Sequence, residues 1–111
     1  MINKWPKLPE LYNYKATCLG RLGRFDEAFE TFERSLELAP LDADTYVNRA
    51  NILFEQSRFN EALADYDKSI KLGCTDPTVY INKACALAEL ELTEDAIELS
   101  LIHISEPTRP Y

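Results

Sequence analysis

The 111-residue chain carries only three glycines, one histidine, one methionine and one tryptophan. With so little glycine it is not a flexible linker. The single histidine, His103, leaves little material for the commonest general base and metal ligand. Cys18, Cys74 and Cys85 make an odd count without metal-ligand spacing. No disulfide framework, metal or cofactor is therefore expected. Cys18 and Cys85 fall in helical stretches and read as packing residues. No apolar run approaches the ~18 residues a membrane helix needs. Met1 to Lys7 lacks the apolar core of a secretion signal, so the expected location is cytoplasmic. Basic clusters are missing too, and the net charge is −7. Phosphate binding needs a basic stripe, so no nucleic-acid partner is expected. The acids Glu27, Glu30, Glu33, Glu37, Asp65 and Asp67 read as the solvent faces of helices. Leu19-Gly-Arg-Leu-Gly-Arg24 lacks a Gly-Lys-Ser/Thr ending, and no His-Glu-x-x-His motif occurs. The chain is not expected to be an enzyme.

What the sequence does have is a period. Thirty-four residues separate Tyr12 from Tyr46, and thirty-four more separate Tyr46 from Tyr80. Ala16, Ala50 and Ala84 keep the same step, as do Leu19, Leu53 and Leu87, and Ala28, Ala62 and Ala96. Arg24 pairs with Arg58, Phe25 with Phe59, Glu27 with Glu61, Ser35 with Ser69 and Leu38 with Leu72. Such a period means stacked helical hairpins, each burying its apolar face against its neighbours. The expected fold is all-α. The Ala columns should lie where helices cross, because small side chains let backbones approach to ~8–10 Å. The Leu column and Phe25/Phe59 should fill the space between paired helices. Phe32 and Tyr66 should pack toward the next unit.

Punctuation residues mark the elements. Unit one predicts helices over about Pro9–Leu22 and Phe25–Leu38, with a turn at Gly23-Arg24 and a stop at Pro40. Unit two predicts Ala43–Gln56 and Phe59–Leu72, closed by a left-handed cap at Gly73. Asp76-Pro77 suits an N-cap and a first helical position. Unit three predicts helices over Thr78–Leu90 and from Thr93 onward, the latter opened by Thr93-Glu94-Asp95.

The pattern Tyr-x3-Ala-x2-Leu, then Gly-Arg-Phe-Asp-Glu-Ala, then Ser-Leu-Glu-Leu-Ala-Pro resembles the tetratricopeptide repeat. Unit two repeats it as Tyr46-Val-Asn-Arg-Ala50 and Ser-Arg-Phe-Asn-Glu-Ala62. The resemblance covers about residues 9–98. It divides the chain into a lead-in (1–8), two units (9–42 and 43–76) and a truncated third (77–98); Pro6, thirty-four residues before Pro40, makes the end of an earlier repeat the alternative reading of the lead-in. It implies a right-handed superhelical stack of antiparallel helix pairs, with a concave groove that takes an extended peptide or a partner helix. Unit three departs at Glu91-Leu92-Thr93, which has neither glycine nor aromatic; Leu92 is expected to substitute for the missing ring.

The period fails after Glu98. One choice of codons for Leu99 to Arg109 resembles transposon-end adapter DNA used in sequencing libraries. Residues 99–111 are therefore expected to be a non-native tail, and an authentic divergent capping helix is the alternative. The gene's own codons would decide between them.

On the implied groove, unit one presents Glu10, Asn13, Tyr14 and Thr17. Unit two presents Asp44, Val47, Asn48 and Asn51, and unit three Thr78, Ile81, Asn82 and Cys85. The expected partner-binding set is Tyr14, Thr17, Asn48, Asn51, Asn82 and Cys85. Asn48 and Asn82 lie one repeat apart, and an amide can pair with a peptide backbone; otherwise they tie neighbouring helices together. Chaperone-binding members of the family grip a terminal carboxylate with a clamp of lysines, asparagines and an arginine. Those positions here hold Asn13, Thr17, Asn48, Thr78 and Asn82, without the cations, so a chaperone tail is not expected. The expected function is a non-catalytic scaffold for a protein or peptide partner. The alternative is the recognition fragment of a larger enzyme such as a glycosyltransferase, kinase or phosphatase.

Overall fold

The computed structural model describes residues 7–105, all of whose regular elements are helices. The lead-in residues 1–6 and the last six of the proposed tail lie outside the described residues. Five helices follow in order: α1 (Leu8–Arg21), α2 (Phe25–Leu38), α3 (Ala43–Glu55), α4 (Phe59–Lys71) and α5 (Pro77–Ser105). The first four match the expected hairpins within a residue or two.

Local chemistry sets their ends. The first hairpin turns at Gly23, with φ 81°, and the second at Ser57, with φ 62°. A left-handed serine is tolerated there because the column position requires that geometry. The Asp42 carboxylate accepts from the Asp44 amide and the Thr45 hydroxyl, capping α3. Asp76, one repeat later, accepts from the Thr78 amide at the start of α5. Gly73 ends α4 with φ 100°.

Packing follows the columns through two units. Ala16, Leu19, Ala28 and Phe32 form one core with Ile52 of the next unit. Ala50, Leu53, Ala62 and Tyr66 form a second with Val79 of α5. Phe32 and Tyr66 thus reach forward as expected, and both are wholly buried. Ser35, also wholly buried, donates to the Pro9 carbonyl at 2.8 Å and ties α2 to the start of α1. Gly20 lies in the seam between α1 and α3: a Cβ there would meet Ile52 Cδ1 at 2.6 Å. Glycine is needed here for space alone.

The third hairpin does not form. α5 continues for 29 residues through Glu91-Leu92-Thr93. The expected turn carries a glutamate where Gly23 and Ser57 turn, and glutamate is a good helix former with no ease at positive φ. Leu92 does not stand in for a packed ring; it is exposed. Tyr80, Ala84 and Leu87 are likewise exposed, because among the described residues no second helix returns over them. The Ala96 side chain lies outside the described residues.

Two more expectations change. Cys18 is exposed, whereas Ile52 and Ala86 in the same column are buried against the preceding unit. Cys85 is exposed as well, on the Thr17/Asn51 column. Asp65 is not on a solvent face. It is only 7% exposed and paired with Arg49.

Candidate functional site

The stacking order makes one side of the molecule concave. α1 packs on α3 and α3 on α5, while the backbones of α2 and α4 stand farther apart and meet through side chains such as Arg58 over the Phe29 ring. The first helices are therefore crowded on the inner side, and the second helices diverge on the outer side.

Two depressions share the inner surface. One, of about 540 Å³, is lined by Glu10, Asn13 and Tyr14 of α1, by Asp44, Val47 and Asn48 of α3, and by the capping acids Asp42 and Asp76. Lys7 is the basic group on its rim. The other, of about 370 Å³, is lined by Thr17 and Arg21 of α1, by Asn48, Asn51 and Glu55 of α3, and by Asn82 of α5. Asn48 is common to both. Of the expected groove residues, Tyr14, Thr17, Asn48, Asn51 and Asn82 come together here. Cys85 is exposed one turn beyond Asn82 and lines neither depression. Thr78 and Ile81 are exposed outside them too.

The asparagines also join the helices. Asn48 Nδ2 donates to Asn13 Oδ1 at 3.0 Å, joining α3 to α1. Asn82 Nδ2 donates to Asn51 Oδ1 at 3.3 Å and to the Tyr66 hydroxyl at 3.2 Å. Tyr66 in turn donates to Asn51 Oδ1. Asn51, Tyr66 and Asn82 thus form a polar triad across α3, α4 and α5. Burial pushes the Tyr66 phenol above its ordinary range, and the bond from Asn82 opposes part of that shift. Among the described residues, Asn48 Oδ1 and Asn51 Nδ2 make no hydrogen bond to protein. The same holds for Asn13 Nδ2 and Asn82 Oδ1.

The outer surface is built differently. The Arg49 guanidinium binds the Asp65 carboxylate through two 2.8 Å bonds and lies over the Tyr46 ring at 5.6 Å. The hydrogen bond to Asp65 raises the Arg49 pKa further, against the cost of burial. One repeat later Lys83 meets Asp67 at 2.7 Å, in a more exposed pair. Arg58 lies over the Phe29 ring at 5.1 Å and links α4 to α2. Sequence reasoning missed both pairs. Asp65 sits sixteen residues from Arg49, and no spacing rule joins residues on two different helices.

The tetratricopeptide-repeat family model matches residues 7–72, more than half of the chain. The chain belongs to the tetratricopeptide-repeat family. That family is one of protein-interaction scaffolds, typically non-catalytic. No curated protein matches this tetratricopeptide-repeat chain. Among its described residues no helix is long and apolar enough to cross a membrane.

Proposed function

We propose that this chain is a protein-interaction module that takes an extended peptide along the inner groove, with Asn48 and Asn51 pairing to its backbone. The observation that carries this reading is the meeting of two depressions at Asn48, with amide atoms of Asn48 and Asn51 unused by the fold. An extended peptide presents alternating carbonyls and amides, which such amides can match without reading side chains. Charge narrows the ligand. Glu10, Asp42, Asp44 and Asp76 outnumber Lys7 around the larger depression. A peptide with lysine or arginine at that end is favoured, and its binding weakens with salt. Tyr14 offers an exposed ring as a floor for the basic side chain.

Fluorescence anisotropy on labelled peptides of matched length tests the reading. Lysine-bearing peptides should bind more tightly than glutamate-bearing ones. Tyr14→Ala and Asp44→Lys should each weaken lysine-peptide binding about tenfold, with helicity unchanged. These two exposed positions are better probes than Asn48 or Asn82, whose loss also removes a bond between helices. Equal affinity for both peptide classes, or no effect of either variant, refutes the proposal.

A further inference from the structure

The front of α1 is open. Leu8, Leu11, Lys15, Cys18 and Leu22 recur every three or four residues and so share one stripe of that helix. All five are exposed, Leu22 to 72%. One repeat on, the same columns are sealed. Thr45 and Ile52 on α3 are buried, and so are Val79 and Ala86 on α5.

The molecule shows twice what covers such a stripe. The second helix of the preceding unit lays a four-residue pattern on it: Phe32-Glu33-Arg34-Ser35 on α2 and Tyr66-Asp67-Lys68-Ser69 on α4. The aromatic and the serine are wholly buried in both. Phe32 shares a core with Ile52, and Tyr66 with Val79. The Ser35 and Thr45 hydroxyls lie 3.4 Å apart, so the small serine lets the first helix approach. The acid answers a cation. Asp67 meets Lys83 at 2.7 Å. Glu33 lines the outer cleft with Arg49, and its charge adds to those that keep that guanidinium protonated. Lys15 stands in the column of Arg49 and Lys83. α1 thus presents the cation and the apolar positions, and among the described residues neither an acid nor an aromatic covers them.

We propose that this stripe docks an amphipathic helix of a partner protein, one that carries an aromatic residue, an acid directly after it and a serine three positions after the aromatic. The acid pairs with Lys15, the aromatic packs on Leu11 and Cys18, and the serine sits at the crossing. A base in place of the acid would meet Lys15 as a like charge, so Lys15 fixes both the choice of helix and its register. Leu11, Lys15, Cys18 and Leu22 line neither depression of the inner surface, so this docking does not depend on the groove reading.

Alkylation of the full-length chain by iodoacetamide, mapped cysteine by cysteine with mass spectrometry, tests it. The probe is an end-blocked peptide with the sequence of residues 24–39, which holds the pattern as it stands in α2. It should shield Cys18 and leave Cys85, exposed on α5, as reactive as before. The same peptide with Glu33→Lys should need about tenfold more for equal shielding. Lys15→Glu in the chain should have the same effect on the parent peptide, and the two reversals together should restore the shielding. No shielding of Cys18 at millimolar peptide overturns the proposal. So does shielding of Cys85 alone, or shielding of Cys18 that ignores both reversals. The peptide variant leaves the chain untouched, so it decides even where Lys15→Glu fails to fold.

Discussion

α3 and α5 carry the same columns in different surroundings. Leu53 on α3 is 4% exposed, and Leu87, one repeat later, is 44% exposed. Ala50 is wholly buried and Ala84 is open. Yet the side of α5 that faces α4 is as tightly packed as its counterpart: Val79 and Ala86 are buried, like Thr45 and Ile52. A repeat position therefore has no fixed environment. Each helix is buried on the sides where neighbours exist, and among the described residues α5 has a preceding unit but no returning helix. This is the physical meaning of a stack whose units support one another in line.

The largest expected contrast is in the leucine column. Leu53→Ala should cost about 3 kcal/mol, from lost burial and a cavity. Leu87→Ala should cost under about 0.5 kcal/mol. Urea unfolding followed by circular dichroism measures both, and equal losses would break the comparison.

The alanine column sharpens it. Ala62→Leu should cost ~1–3 kcal/mol by overpacking the α3–α4 crossing. Ala84→Leu should be near neutral in the same assay. An Ala62→Leu chain as stable as the parent would mean that the crossing is looser than the structure shows.

The ion pairs should differ in the same direction. Arg49→Ala strands a buried Asp65 and should cost about 2 kcal/mol, below the full cost of breaking a buried pair because Arg49 is partly solvated. Lys83→Ala removes a largely exposed pair and should cost under about 0.5 kcal/mol. Thermal melts of the two variants should separate clearly.

The smallest effect concerns the triad. Tyr66→Phe copies Phe32 of unit one and should cost about 1 kcal/mol through the lost hydroxyl bonds. Its signature is alkaline. The folded phenol titrates above the unfolded one, so its contribution is complete below the unfolded value near 10 and is lost as pH rises through the folded value. Stability measured from pH 8 to 11 should fall more steeply in the parent than in Tyr66→Phe. Parallel profiles would show that the phenol is not held neutral by the fold.

Most of the architecture was legible because it repeats. Column residues such as Ala28 and Ala62 announced crossings, and Gly23, Pro40 and Gly73 announced ends. The missing turn in unit three was half legible: the sequence showed that Glu91-Leu92-Thr93 lacked glycine and aromatic, but the break was still expected there. A run of good helix formers has no reason to turn unless packing rewards it, and that balance is not written in a motif. Helical spacing set Tyr14, Thr17, Asn48, Asn51 and Asn82 on one surface, and these five line the two depressions while Cys85 does not. What spacing could not reveal were bonds between units, such as Asn48 to Asn13 and Asn82 to Tyr66. Those depend on side-chain reach across a seam.

The seam at Gly20 also bears on how the units could be rearranged. Gly20 leaves room for Ile52, while one repeat on the corresponding positions hold Phe54 and Ala86. The first joint is small against large, and the second is large against small. A chain built by following unit two with another copy of itself would press an isoleucine against a phenylalanine. The units look alike in their columns, but their joints are keyed by size. Their order is therefore not free to be shuffled, and any duplication of one unit must be followed by repair at its edges.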